Sequence, residues 1–128
     1  MKLVSKPRPI YLNLVQIRLP LPGIVSILHR ISGAALFLIG IPVALYALQS
    51  SLGSAAAYDR LTSSFSNPVV KLVLIGLIWA YLHHLCAGIR FLLLDLHKGI
   101  ELRPARQSSA IVILASLALT LIVGARLW

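Results

Sequence analysis

Three long runs of the 128-residue chain contain no Asp, Glu, Lys or Arg: Ile31 to Leu48, Leu72 to Ile89 and Ser108 to Ala125. A helix needs about 20 mostly apolar residues to cross the hydrocarbon core of a bilayer, and each run reaches that length with its flanks. Only 12% of the residues are charged, against about 25% in soluble domains. The mean hydropathy is +0.91. These features predict an all-α membrane protein with three transmembrane helices.

The charges outside the runs orient the spans. Lys2, Lys6, Arg8, Arg18 and Arg30 precede or open the first span, and Arg90, Lys98, Arg103 and Arg106 flank the connection after the second. The segment between spans one and two holds only Asp59, Arg60 and Lys71. By the positive-inside rule the N-terminus and the second connection are cytoplasmic, and the first loop and the C-terminus are periplasmic. The net charge of +9 is thus topological and does not imply nucleic-acid binding. The opening MKLVSKPRPIYLNLVQIRLP has no sustained apolar stretch and no small-residue cleavage pattern, so a bacterial inner-membrane protein without a removed leader is expected.

Proline punctuation divides the rest. Residues 1–22 carry Pro7, Pro9, Pro20 and Pro22 and are predicted to form an extended or turned cytoplasmic arm. The first span follows over 23–48, with a kink expected at Pro42. Residues 49–68 are Ser-, Ala- and Gly-rich and predict an outer loop with room for one short interfacial turn. The second span covers 69–96, a cytoplasmic connection 97–107, and the third span 108–127.

Ionisable groups inside spans are expensive and mark partners, cavities or cofactors, which singles out the pair His83-His84 in AYLHHLCAGIR. His84 has Ala80 and Gly88 one turn away on either side. Such small residues admit another backbone or a flat macrocycle, and histidine is the common axial ligand of haem iron. A cross-helix hydrogen bond is the competing explanation of His84. His83, about 100° away around the helix and one turn from Trp79 and Ala87, fits packing or hydrogen bonding better than ligation. Cys86, the only cysteine, fits as a small packing residue and excludes an internal disulfide.

In the first span Ser26, His29, Arg30, Gly33, Phe37 and Gly40 recur at helical spacing and predict one face. An arginine, an imidazole and a hydroxyl together suit carboxylates, such as haem propionates, and the oxygens of a quinone. Arg90 lies six positions beyond His84, about 9 Å along the axis, level with Arg30. The two stripes then form one site if the helices face each other.

RPIYLNLVQIRLPLPGIVSILHRISG and HLCAGIRFLLLDLHKG together resemble the cytochrome b membrane-anchor (C) subunits of bacterial succinate dehydrogenase, respiratory complex II. The likeness covers nearly the whole chain and has two separate motifs, S-I-L-H-R-x-S-G and H-x-x-x-G-I-R-x-x-x-x-D. It implies half of a heterodimeric, haem-binding helical bundle. One haem b is shared with a second small membrane subunit, which supplies the other axial histidine. On this chain the resemblance makes His84 the axial ligand and gives His29 and Arg30 to the haem propionates. Ser26 and Arg30 go to ubiquinone, while Asp95 supports Arg90 or the neighbouring subunit. It also implies a flavoprotein and an iron–sulfur subunit as partners, and electron transfer from succinate in the tricarboxylic acid cycle and aerobic respiration.

No nucleophile beside a base, metal cluster or phosphate loop is recognisable in the sequence, so a non-catalytic subunit that contributes to a quinone site is expected. Two other classes were weighed. A small proton-coupled transporter needs a membrane-embedded carboxylate, and the candidate, Asp95, sits at a helix end. A haem-free anchor of the fumarate reductase type would leave His84 merely structural.

Overall fold

The computed structural model describes residues 16–127. The expected arm over residues 1–15, with Lys2, Lys6, Pro7, Arg8 and Pro9, lies outside the described residues, as does Trp128. Three helical rods are each long and apolar enough to span a membrane: Leu21–Gly53, Pro68–Asp95 and Leu102–Leu127. The protein is an all-α, multi-pass membrane protein.

The first rod consists of α1 (Leu21–Ala35), a π turn (Leu36–Gly40) and α2 (Ile41–Gly53). Pro20 and the prolines and glycine around it allow the helix to begin at Leu21, two residues before the expected start, because first-turn N–H groups need no helical acceptor. Pro42 neither ends the rod nor leaves a break. It lacks the N–H that would bond four residues back, and the helix widens just before it, with the Ile41 N–H reaching the Leu36 carbonyl. A π turn of this kind absorbs the lost bond while the chain continues.

The outer segment is more helical than expected. The first rod runs on to Gly53, and α3 (Ala55–Ser64) follows. The Ser54 hydroxyl accepts from the Ala57 N–H at 3.2 Å, an N-cap before a run of three alanines. The serines that suggested a loop satisfy themselves inside the helix: the Ser63 and Ser64 hydroxyls donate to the Arg60 and Leu61 carbonyls.

The second span is α4 (Pro68–Asp95), capped by the Asn67 side chain, which accepts from the Val69 N–H at 2.8 Å. Its far end closes in a Schellman pattern, with His97 N–H on the Leu94 carbonyl and Lys98 N–H on Leu93. The left-handed residue of that turn is His97, φ 57°. The third span, α5 (Leu102–Leu127), starts six residues before the expected Ser108. Pro104 falls in its first turn, where proline costs no hydrogen bond, so the connection shrinks to about six residues.

α4 packs against both α1 and α5, which also touch each other, and α3 folds back on α2. The packing is inverted relative to a soluble domain. The buried apolar residues are few, including Val25, Ala87 and Val112, whereas Ser32, His83, Arg90, Ser109, Ser116 and Thr120 are buried. Large apolar side chains such as Phe37, Leu52 and Leu121 point outward. Lipid gives no hydrophobic drive between helices, so small residues that let backbones approach take the interface. On α5 the buried positions Ser109, Val112, Ser116 and Thr120 form one stripe. Their hydroxyls donate to their own helix: Ser109 to Ala105, Ser116 to Ile113 and Thr120 to Ser116. The α5 side of the seam is thus polar in composition, with its hydroxyls satisfied inside their own helix.

The His97 turn yields a prediction. A non-glycine left-handed residue costs about 1 kcal/mol or more, and a β-branched one more still. Thermal unfolding of the detergent-solubilised protein is expected to show His97→Gly at or above the wild-type Tm. His97→Val should fall below wild type by about 1–2 kcal/mol.

Candidate functional site

The α1–α4 seam brings His29 and His84 together. Their rings stack with centroids 4.1 Å apart and planes at 7°, and Phe91 leans on His29 at 5.1 Å. The contact is possible because residue 33 is glycine. A Cβ there would lie 2.8 Å from His84 Cε1 and 3.2 Å from Nδ1, inside van der Waals contact. Gly88 contributes less room, since a Cβ there would stand an ordinary 3.7 Å from His29 Nε2.

Hydrogen bonding fixes the His84 ring. Its Nδ1 lies 3.0 Å from the His29 carbonyl oxygen and 3.3 Å from Ser32 Oγ. A carbonyl only accepts, so Nδ1 is the donor in this bond. The Ser32 hydroxyl donates to the same carbonyl at 2.9 Å, which turns an oxygen lone pair towards Nδ1. With the proton held at Nδ1, the neutral imidazole has its lone pair on Nε2. That is the arrangement in which histidine ligates iron, with a backbone carbonyl orienting the ring from behind. The residues present therefore fit an axial ligand.

His83 has the opposite environment. It is fully buried, stacks on Trp79 with centroids 5.3 Å apart, and neither ring nitrogen has a hydrogen-bond partner. Its contacts are packing contacts inside the bundle.

The stripe on the first span divides. From His29 through Gly33 to Arg30 it sweeps about 100° of the helix, wider than the contact with α4. His29 and Gly33 meet His84, whereas Arg30 and Phe37 are exposed and Ser26 is half-buried. Buried Val25 and Ser32 mark the centre of the contact face, to one side of the stripe. The His84 ring also lies flat against His29 instead of one or two turns deeper. The shallow surface expected at Ala80 and Gly88 is filled: Ala80 is buried and Gly88 faces His29.

Arg90 and Asp95 do not pair within this chain. The Arg90 Nε donates to Ser108 Oγ at 2.9 Å and an Nη to the Ala105 carbonyl at 3.3 Å, and Asp95 is exposed. Arg90 thus ties α4 to the start of α5. Cys86 packs beside the small core of Val25, Ala87 and Val112. The sequence carries one signal for Ser32: it lies three residues after His29, one helical turn on, directly before Gly33.

Comparison with known proteins gives a consistent result. The family described as succinate dehydrogenase/fumarate reductase transmembrane subunit matches residues 4–123. The succinate dehydrogenase cytochrome b556 subunit of Paracoccus denitrificans is 36% identical over 117 residues, 90% of this chain and 88% of that one. The protein of the same name from Coxiella burnetii is 34% identical over 126 residues, covering 98% and 100% of the two chains. The Rickettsia felis counterpart is 30% identical over 121 residues, covering 94% and 93%.

The seam yields a second prediction. Gly33→Ala drives a methyl into a ring already held by stacking and a hydrogen bond, at a cost of about 1–3 kcal/mol. Gly88→Ala meets only ordinary contact. Thermal unfolding should show the first variant destabilised by that order and the second close to wild type.

Proposed function

The chain belongs to the succinate dehydrogenase/fumarate reductase transmembrane subunit family, and from that premise we propose that it is the haem b-binding membrane anchor of a bacterial succinate dehydrogenase. The observation that carries this reading is the His84 imidazole, its Nδ1 on the His29 carbonyl and its Nε2 lone pair free. His84 would hold the iron of a haem b, with the second histidine coming from another small membrane subunit. The haem would supply single-electron transfer there. His29 and Arg30 would hold its propionates by charge-assisted hydrogen bonds.

Ser26 and Arg30 form this chain's part of a ubiquinone site. Arg30 is exposed and Ser26 half-buried on α1, so a ligand or another subunit has access to them. The Arg30 guanidinium favours the negative charge that develops on a quinone oxygen during reduction. The chain itself has no catalytic residue. It anchors the iron–sulfur and flavoprotein subunits at the inner membrane, N-terminus cytoplasmic and C-terminus periplasmic. That orientation puts the basic ends of α1, α4 and α5 on the side of the soluble partners. Asp95, exposed at the end of α4, faces the neighbouring subunit.

The test is a reduced-minus-oxidised absorbance spectrum of the purified complex. Wild type is expected to show a b-type signal that His84→Leu removes or shifts and His83→Leu leaves intact. A wild type without the signal, or a His84→Leu variant that keeps it unchanged, overturns the assignment. Arg30→Leu should lower quinone reduction tenfold or more, about the worth of one hydrogen bond to a charged group.

A further inference from the structure

We propose that the cleft between the end of α4 and the first turns of α5 binds the headgroup of an anionic glycerophospholipid. The cleft has a volume of about 340 Å³, and Arg90, Lys98, Gln107 and Ser108 are among its lining residues. No carboxylate lines it. Arg90 is decisive. It is only 5% exposed, yet both its hydrogen-bond partners, Ser108 Oγ and the Ala105 carbonyl, are neutral. No carboxylate among the described residues pairs with it. Removing a guanidinium from water without a counter-ion is costly, and such groups are matched by an anion in the working protein. Two of its five N–H donors are engaged, which leaves capacity for an anion in the cleft.

The shape of the lining selects a lipid. Most of the surface around the two cations is apolar, with Leu93 and Ile111 as walls, and both of these side chains are also well exposed on the outer surface of the bundle. A phosphate at Arg90 and Lys98 would therefore have its acyl chains leave directly onto apolar helix surface. The cleft sits at the ends of two spanning helices, the depth at which lipid phosphates lie. Basic pockets between helices at that level recognise anionic headgroups. This inference goes beyond the haem and quinone roles and needs only that the three helices span a bilayer.

Native mass spectrometry of the purified complex, titrated with phosphatidylglycerol or with phosphatidylcholine, tests it. Wild type should retain phosphatidylglycerol in preference. Lys98→Gln should weaken that retention about fivefold, the effect of one basic residue at an anionic surface. Gln107→Glu, which sets a carboxylate in the cleft, should weaken it at least as much. Both substitutions are at exposed positions and leave the Arg90 tie to α5 in place, so folding is preserved even where Arg90→Gln is not tolerated. Arg126→Gln, at the opposite end of α5, should change nothing. Equal retention of the two lipids by wild type overturns the proposal. So does a preference that survives both cleft variants, or a carboxylate of another subunit found paired with Arg90 in the assembled complex.

Discussion

The contact of His84 with the backbone of α1 organises the membrane half of this protein. An imidazole in a spanning helix must place two nitrogens, and hydrocarbon offers neither donor nor acceptor. Here one nitrogen is satisfied by the His29 carbonyl and the Ser32 hydroxyl. That satisfaction requires α1 to approach closely, which Gly33 alone permits. The same approach stacks the two imidazoles and fixes the tautomer. Packing and polar satisfaction therefore depend on one glycine-wide gap. A larger residue at 33 would disturb both together.

The spans were legible because lipid imposes a strict rule: backbone groups must bond within the segment, and long uncharged runs declare it. The polar stripes holding His29 and His84 were legible too, since spacing puts each on one face of its own helix; that the two faces meet is seen only in the packing of α1 on α4. What escaped was governed by hydrogen bonds that composition does not display. Ser54 and the back-bonding serines turned an apparent loop into α3. The connection expected over 97–107 is shorter because Pro104 sits in the first turn of α5, where proline costs no hydrogen bond. The contact face of α1 lies a fraction of a turn from the stripe through Ser26, His29 and Arg30. The buried pair Val25 and Ser32 defines the contact. Beyond residue 35 the π turn inserts an extra backbone step per turn, so positions such as Phe37 and Gly40 no longer follow the periodicity assumed for them.

The polar groups fall into two sets. Ser109, Ser116 and Thr120 close their hydrogen bonds within their own helix, and they ask nothing of a partner. Their role is to be small at the α4–α5 seam and silent. The second set is incompletely used: the Nε2 of His84, the exposed Arg30 beside half-buried Ser26, and a buried Arg90 whose partners are all neutral. A membrane subunit that functioned alone would have little reason to carry two arginines and a ligand-ready imidazole in or beside its spans, since each is costly there. Their cost is offset when a group outside this chain completes them. Apart from His83, whose ring nitrogens stay unpaired inside the bundle, the division between satisfied and unsatisfied polar groups thus separates what holds the three helices together from what is left for a partner to complete.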